Sequence, residues 1–180
     1  MKKKMSVKEL TYMAMCVALT AICSWITIPA TVPFTLQTFA VALTLFLLGG
    51  KRGTIAIVTY VLLGAVGVPV FAGLSGGLGA LLGATGGYIV GFIFMGLIYW
   101  VMTAFLGEKY YVKIIASVIG LAICYLFGTI WFVNIYSSSN EAIGFATGIA
   151  WCVTPYIIPD IIKLILATGL STTLNRYVKF

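Results

Sequence analysis

Apart from Asp160 and Lys163, charge in this chain is confined to its ends and to short gaps, and from Gly53 to Gly107 no side chain carries any. Runs of this kind can bury themselves only in a bilayer, where each crossing helix needs about 20 mostly apolar residues. Composition agrees: 62 % of the 180 residues are hydrophobic and 8 % are charged. Soluble domains run at about 45–50 % apolar and about a quarter charged. Roughly 112 apolar residues suffice for five or six crossings. That leaves no length for a separate catalytic or nucleotide-binding unit, so residues 1–180 are expected to form a single all-α membrane domain.

A net charge of +7 often signals nucleic acid. Here ten of the eleven basic residues, among them Lys2, Lys3, Lys4, Lys8, Lys51, Arg52, Lys109, Lys113, Arg176 and Lys179, sit at chain ends or in gaps between apolar runs. They form no basic stripe, so nucleic acid is not expected as a partner. The four cysteines, Cys16, Cys23, Cys124 and Cys152, lie in apolar stretches without CxxC spacing and read as small hydrophobes. The first apolar run is longer than a signal peptide's and no A-x-A site follows it. It is expected to stay as a first helix.

Six spans follow. The first covers residues 8–28 and ends at Pro29, and Pro33 closes a short turn. The second covers residues 33–49, Lys51-Arg52-Gly53 interrupts the run, and the third continues from there to about residue 67. One continuous helix there would bury two cations at mid-membrane. Residues 67–87 hold eight glycines and no charge. The remaining spans are residues 85–106, 112–136 and 155–176. The apolar stretch 142–153 is too short to cross and is expected to be re-entrant or interfacial. With six spans, the termini and the 2–3 and 4–5 gaps share one side and hold ten of the positive charges, whereas the other loops hold none. The positive-inside rule makes that side cytoplasmic.

All irregular backbone then falls on the outer side, where it must be buried in protein or line a wet cavity. The glycine-rich segment is therefore either a pocket wall or a packed cap. Interrupted spans are a usual pointer to a transporter site. Pro-x3-Pro occurs twice, at Pro29/Pro33 and Pro155/Pro159, and each second proline is followed four residues later by a polar group, Gln37 or Lys163. Asp160 and Lys163 are the one ionisable pair expected inside a span, on one face at i,i+3. A lone charge there costs about 2.5–3.5 kcal/mol on insertion scales. The pair is either a ligand site offering acceptor and donor, or a tether between helices.

Enzyme chemistry finds little support. The chain has no histidine and four acids, none adjacent in sequence, so nucleophilic dyads, histidine metal sites and paired-carboxylate sites are absent. Gly49-Gly50-Lys51-Arg52 echoes a phosphate loop but lacks the earlier glycine and the Ser/Thr after the lysine. Leu82 stands where a dinucleotide fingerprint starting at Gly77 needs its third glycine. ATP hydrolysis by this chain is not expected. Ala14 and Ala18, one turn apart, form a small-residue face suited to close helix packing, either within this chain or against another.

Four motifs, in order and at these separations, make the chain resemble the BioY family, the biotin-specific substrate-binding (S) components of energy-coupling-factor (ECF) vitamin transporters. They are Pro33-Phe34-Thr35-Leu36-Gln37; Tyr60, Gly64, Gly67 and Pro69-Val70-Phe71; Gly83-Ala84-Thr85-Gly86-Gly87-Tyr88 with Gly91-Phe92; and Pro155-Tyr156-Ile157-Ile158-Pro159-Asp160 with Lys163. Ala84 replaces a usual proline, and Pro159 a common glycine. The resemblance covers essentially the full length. It implies six helices in a bacterial cell membrane, an outward-facing biotin site, and two kinds of partner: a transmembrane coupling protein and cytosolic ATPases. Biotin is then a transported ligand, and no cofactor or metal is expected. Ala14/Ala18 matches the family's helix-1 alanine motif for docking on the coupling protein.

Biotin's ureido ring carries two N–H donors and a carbonyl, its thioether ring is apolar, and its tail is a carboxylate. Asp160 would accept from a ureido N–H. Lys163 would compensate Asp160 and donate to either the ureido oxygen or the carboxylate. Tyr88, Gln37 and the backbone of residues 73–77, including Gly73, would be secondary contacts, with Phe71 and Trp151 as apolar walls. Two other classes remain at this stage: a solitary membrane carrier needing no ATPase, and an assembly subunit without a ligand.

Overall fold

A computed structural model describes residues 5–139 and 141–177; Lys2–Lys4, Lys179 and Asn140 lie outside the described residues. Helix α1 (Val7–Trp25) opens on Ser6, whose hydroxyl accepts from the Glu9 N–H at 3.2 Å. The Glu9 carboxylate accepts from the Ser6 N–H at 2.8 Å, which completes a capping box. The helix stops three residues earlier than expected because Thr27 and Ile28 leave it to form β1 (Thr27–Ile28). This strand pairs antiparallel with β2 (Phe34–Thr35), and the two prolines fall in the turn between them.

Helix α2 (Gln37–Ala65) is a hairpin rather than a rod. Gly49, at φ 74°, breaks it into arms of residues 37–48 and 50–65. A β-carbon would strain that conformation, so glycine makes the reversal possible. The arms run side by side: a Cβ at Gly53 would lie 3.1 Å from the Leu45 Cα. Lys51 and Arg52 therefore sit at the hairpin tip and not at mid-membrane. The first arm is the centre of the bundle, with residues 40–46 each at most 4 % exposed.

The glycine-rich segment contains a 3-10 turn (Ala72–Leu74) and one short helix, α3 (Leu78–Leu82), which the sequence reading left irregular. Long helices α4 (Gly86–Leu106) and α5 (Tyr110–Ser139) follow. Then come the short, half-exposed α6 (Phe145–Cys152), a 3-10 turn (Thr154–Tyr156) and α7 (Ile157–Leu174). Counting both arms of α2, the six expected spans are present, and 142–153 forms no span of its own.

Two ends of the bundle are distinct. At one, Arg52 pairs with Glu9, Gly49 lies against the Glu108 carboxylate, and Lys113 bonds Glu108 at 3.1 Å. The charged gaps thus share one end, as the six-span reading requires. At the other, the Trp25 indole N–H donates to the Pro69 carbonyl at 2.9 Å. There Trp131 donates likewise to Gly83 at 3.0 Å. The outward faces of α1, α5 and α7 expose Ile22, Ile119, Ile158 and Ile165, which suits a lipid solvent.

The α4–α5 pair depends on glycines. Gly91 admits Cys124, Gly120 admits Met95, and a Cβ at Gly128 would meet the Tyr88 ring at 2.2 Å. Gly128→Ala is expected to destabilise the protein by about 1–3 kcal/mol through overpacking. A thermal melt in detergent checks this; an unchanged midpoint would mean that the Tyr88 ring moves aside without cost.

Candidate functional site

Asp160 and Lys163 lie in the first two turns of α7, 3 % and 5 % exposed, with the Lys163 ammonium 2.7 Å from Asp160 Oδ1. Asp160 Oδ2 accepts from the Tyr125 hydroxyl on α5. Lys163 also stands 4.1 Å over the Phe34 ring of β2, a cation–π contact in a desolvated setting. Both charges are therefore satisfied by groups from three different segments. That is what makes burial of two ions in a membrane domain tolerable.

These groups line a cavity bounded by the 29–35 turn, the first arm of α2, and helices α4, α5 and α7. Its polar lining includes Thr35, Gln37, Thr38, Thr85, Tyr88, Tyr125, Tyr156, Asp160 and Lys163. Its apolar lining includes Val32, Ile89, Phe92, Leu121 and the two cysteines Cys124 and Cys152. Gln37 is held by its side-chain N–H, which donates to the Tyr60 hydroxyl at 2.7 Å. Tyr60 in turn donates to the Val70 carbonyl at 2.8 Å, so the glycine-rich segment is tied to the site through two side chains. The Tyr88 hydroxyl lies 3.0 Å from Thr129 Oγ1.

Asp160, Lys163, Tyr88 and Gln37 are thus brought together as the sequence suggested. Phe71, Gly73 and Trp151 are not among the lining residues. Phe71 is 1 % exposed because its ring fills the space over Gly64, edge-on to Tyr60 at 5.6 Å. Gly73 turns the chain at φ 67° beside Ala72, which reaches the cavity instead. Trp151 stands 42 % exposed, edge-on to Tyr136 at 5.9 Å. All three support walls or face outward.

Sequence reasoning missed Tyr125, Tyr156 and Phe34. Tyr156 stacks on Phe34 with centroids 6.2 Å apart, and its hydroxyl donates to the Val32 carbonyl. The two Pro-x3-Pro segments therefore meet in space, a contact signalled by their shared pattern but not by either alone. Tyr125 carried no such signal, being one aromatic among several on α5. Ala14 and Ala18 lie on an exposed face of α1, left largely uncovered by the described residues.

A helical bundle that encloses a charged, hydrogen-bonding cavity near one end of its spans defines a membrane protein with an interior solute site. A sequence profile described as "BioY family" matches residues 1–180, and this chain belongs to that family. It is 39 % identical over 172 residues to the probable biotin transporter BioY of Pyrococcus horikoshii, covering 95 % of this chain and 98 % of that one. The biotin transporter BioY of Thermotoga maritima is 39 % identical over 163 residues, 88 % and 90 % of the two chains. A crystal structure of the S-component for biotin from an ECF-type ABC transporter superposes with a TM-score of 0.85 at 27 % identity. That match covers 96 % of this chain and 95 % of the other.

Removing one member of the ion pair leaves its partner as an uncompensated buried charge. Lys163→Met alone is expected to cost about 3–5 kcal/mol, and adding Asp160→Asn should recover much of the loss. Thermal unfolding of the two single variants and the double variant measures this. Strictly additive losses would show that the pair is not coupled.

Proposed function

We propose that this chain is the biotin-binding S component of an ECF-type ABC importer. The observation that carries the reading is the buried Asp160–Lys163 pair facing a cavity that also holds Gln37, Tyr88, Tyr125 and Tyr156. Biotin needs such a mixture: an acceptor for ureido N–H groups, a donor for its carbonyl or carboxylate, and apolar surface for the thioether ring. Asp160 accepts from a ureido N–H, with Tyr125 holding the carboxylate in place. Lys163 balances that charge and donates to a ligand oxygen, while Phe34 covers its other side. Tyr88 and Gln37 are secondary polar contacts, and Ile89, Phe92 and Leu121 face the apolar ring. Phe71 acts one step back, by holding Tyr60 and through it Gln37.

This chain supplies capture, and energy comes from partners: a transmembrane coupling protein and its ATPases. The exposed Ala14/Ala18 face of α1 supports that assignment, because small exposed side chains let a partner helix approach closely in lipid. The charged end, gathered around Arg52, Glu9 and Glu108, is the cytoplasmic side, so the cavity opens toward the outside.

Purified protein in detergent is expected to bind close to one biotin per chain in a calorimetric titration, with Asp160→Asn weakening binding at least about tenfold, or about 1.4 kcal/mol. Folded wild-type protein that binds no biotin would overturn the substrate, and undiminished affinity in Asp160→Asn would overturn the site. Ala14→Trp should abolish co-purification with the coupling protein while biotin still binds. Retained co-purification would move the docking face elsewhere.

A further inference from the structure

Away from the solute cavity, the bundle is open sideways. α5 and α7 meet at the Tyr125–Asp160 hydrogen bond and part toward the charged end, leaving a groove of about 400 Å³ floored by Phe46 of α2. Its walls are Ile114 and Val118 on α5 and Ile161, Ile165 and Gly169 on α7. The groove spans nine residues of each helix, 110–118 and 161–169, and eight rises of 1.5 Å make that about 12 Å. One leaflet's hydrocarbon is about 15 Å deep, so the groove follows the bundle axis through most of a leaflet.

The chemistry of the walls excludes a polar occupant. Ser117 Oγ donates to the Lys113 carbonyl at 2.9 Å, and Thr168 Oγ1 to the Leu164 carbonyl at 2.6 Å, so both hydroxyls are satisfied within their own helices. What faces the groove is carbon. At its mouth stands Tyr110, 56 % exposed, a residue type suited to the headgroup boundary. Lys109 stands just before α5 and Lys113 in its first turn, and Arg176 lies just past the end of α7. Glu108 neutralises one of these cations through Lys113, and Lys109 reaches the Tyr111 ring at 6.0 Å. The mouth keeps an excess of positive charge.

We propose that this groove is a binding site for an anionic glycerophospholipid, with one acyl chain between α5 and α7 and the phosphate at Lys109 and Arg176. The apolar cleft selects a hydrocarbon tail, and the basic mouth selects a negative headgroup. The leaflet at the charged end is, by the positive-inside rule, the anionic one.

Gly169 allows a direct test, because it lines the groove and a Cβ there meets nothing within 4 Å. The full chain is equilibrated in mixed micelles containing phosphatidylglycerol and phosphatidylcholine, and retained lipid is counted by native mass spectrometry. Wild-type protein should retain phosphatidylglycerol at least fivefold over phosphatidylcholine. Gly169→Leu should lose the retained lipid while its melting profile and biotin titration stay unchanged. Lys109→Gln with Arg176→Gln should keep lipid but lose the headgroup preference. Where Gly169→Leu fails to fold, Val118→Trp blocks the same groove from the opposite wall. Equal retention in wild type and a folded groove-filling variant would overturn the site, and equal retention of both lipids by wild type would overturn the anionic selectivity. If filling the groove instead changed only oligomeric state or co-purification of a protein partner, the groove would be a protein interface and the lipid assignment would fall.

Discussion

Two opposite charges buried within the spanning part of a helical bundle set the terms for everything around them. Asp160 and Lys163 are 2.7 Å apart and nearly inaccessible. Such a pair is costly in an apolar medium unless further polar or aromatic groups complete its surroundings. Those groups come from far away in sequence: Tyr125 from α5 and Phe34 from the turn after α1. The position of three segments is thus tied to one ionic contact. The cavity is the space left where they converge.

The rest of the bundle is arranged so that this convergence is possible. Glycine at the hairpin tip lets the two arms of α2 fold back on each other, placing Gln37 and Tyr60 in hydrogen-bonding register. Glycines on α4 and α5 bring those helices close enough for Tyr88 to reach Thr129. The glycine-rich segment is held by tryptophan indoles at 25 and 131 and by Ser24, whose hydroxyl donates to the Val70 carbonyl at 2.6 Å. Part of its backbone is tied within the protein as well: the Phe71 N–H donates to the Ser75 carbonyl at 2.9 Å and the Gly77 N–H to the Gly64 carbonyl at 2.6 Å, which suits irregular chain in a membrane protein.

The two halves of the chain also share a device. Each Pro-x3-Pro segment falls at or just before the start of a helix, and each helix delivers a polar side chain, Gln37 or Lys163, to the same cavity. Phe34 stacked on Tyr156 joins the two segments directly. Proline suits this place because it needs no backbone donor where a helix begins. The segments flank the site without reference to any longer repeat.

The sequence by itself determined the solvent, the number of spans and which gaps share an end. Hydrophobic run length and the placement of lysine and arginine are local properties that a bilayer reads directly. It also singled out Asp160 and Lys163, since ionised groups inside a span are rare enough to stand out, and it named Gln37 and Tyr88 through motif resemblance. Tertiary structure alone decided that Tyr125 and Phe34 complete the ion pair, since neither differs locally from its aromatic neighbours. It alone decided that Phe71 packs over Gly64 and that Trp151 stands apart from the cavity. Which face of an apolar helix turns inward is barely encoded when both faces are apolar. A bilayer rewards exposed and buried hydrophobes alike, so only the close approach of helices at particular glycines chooses between them.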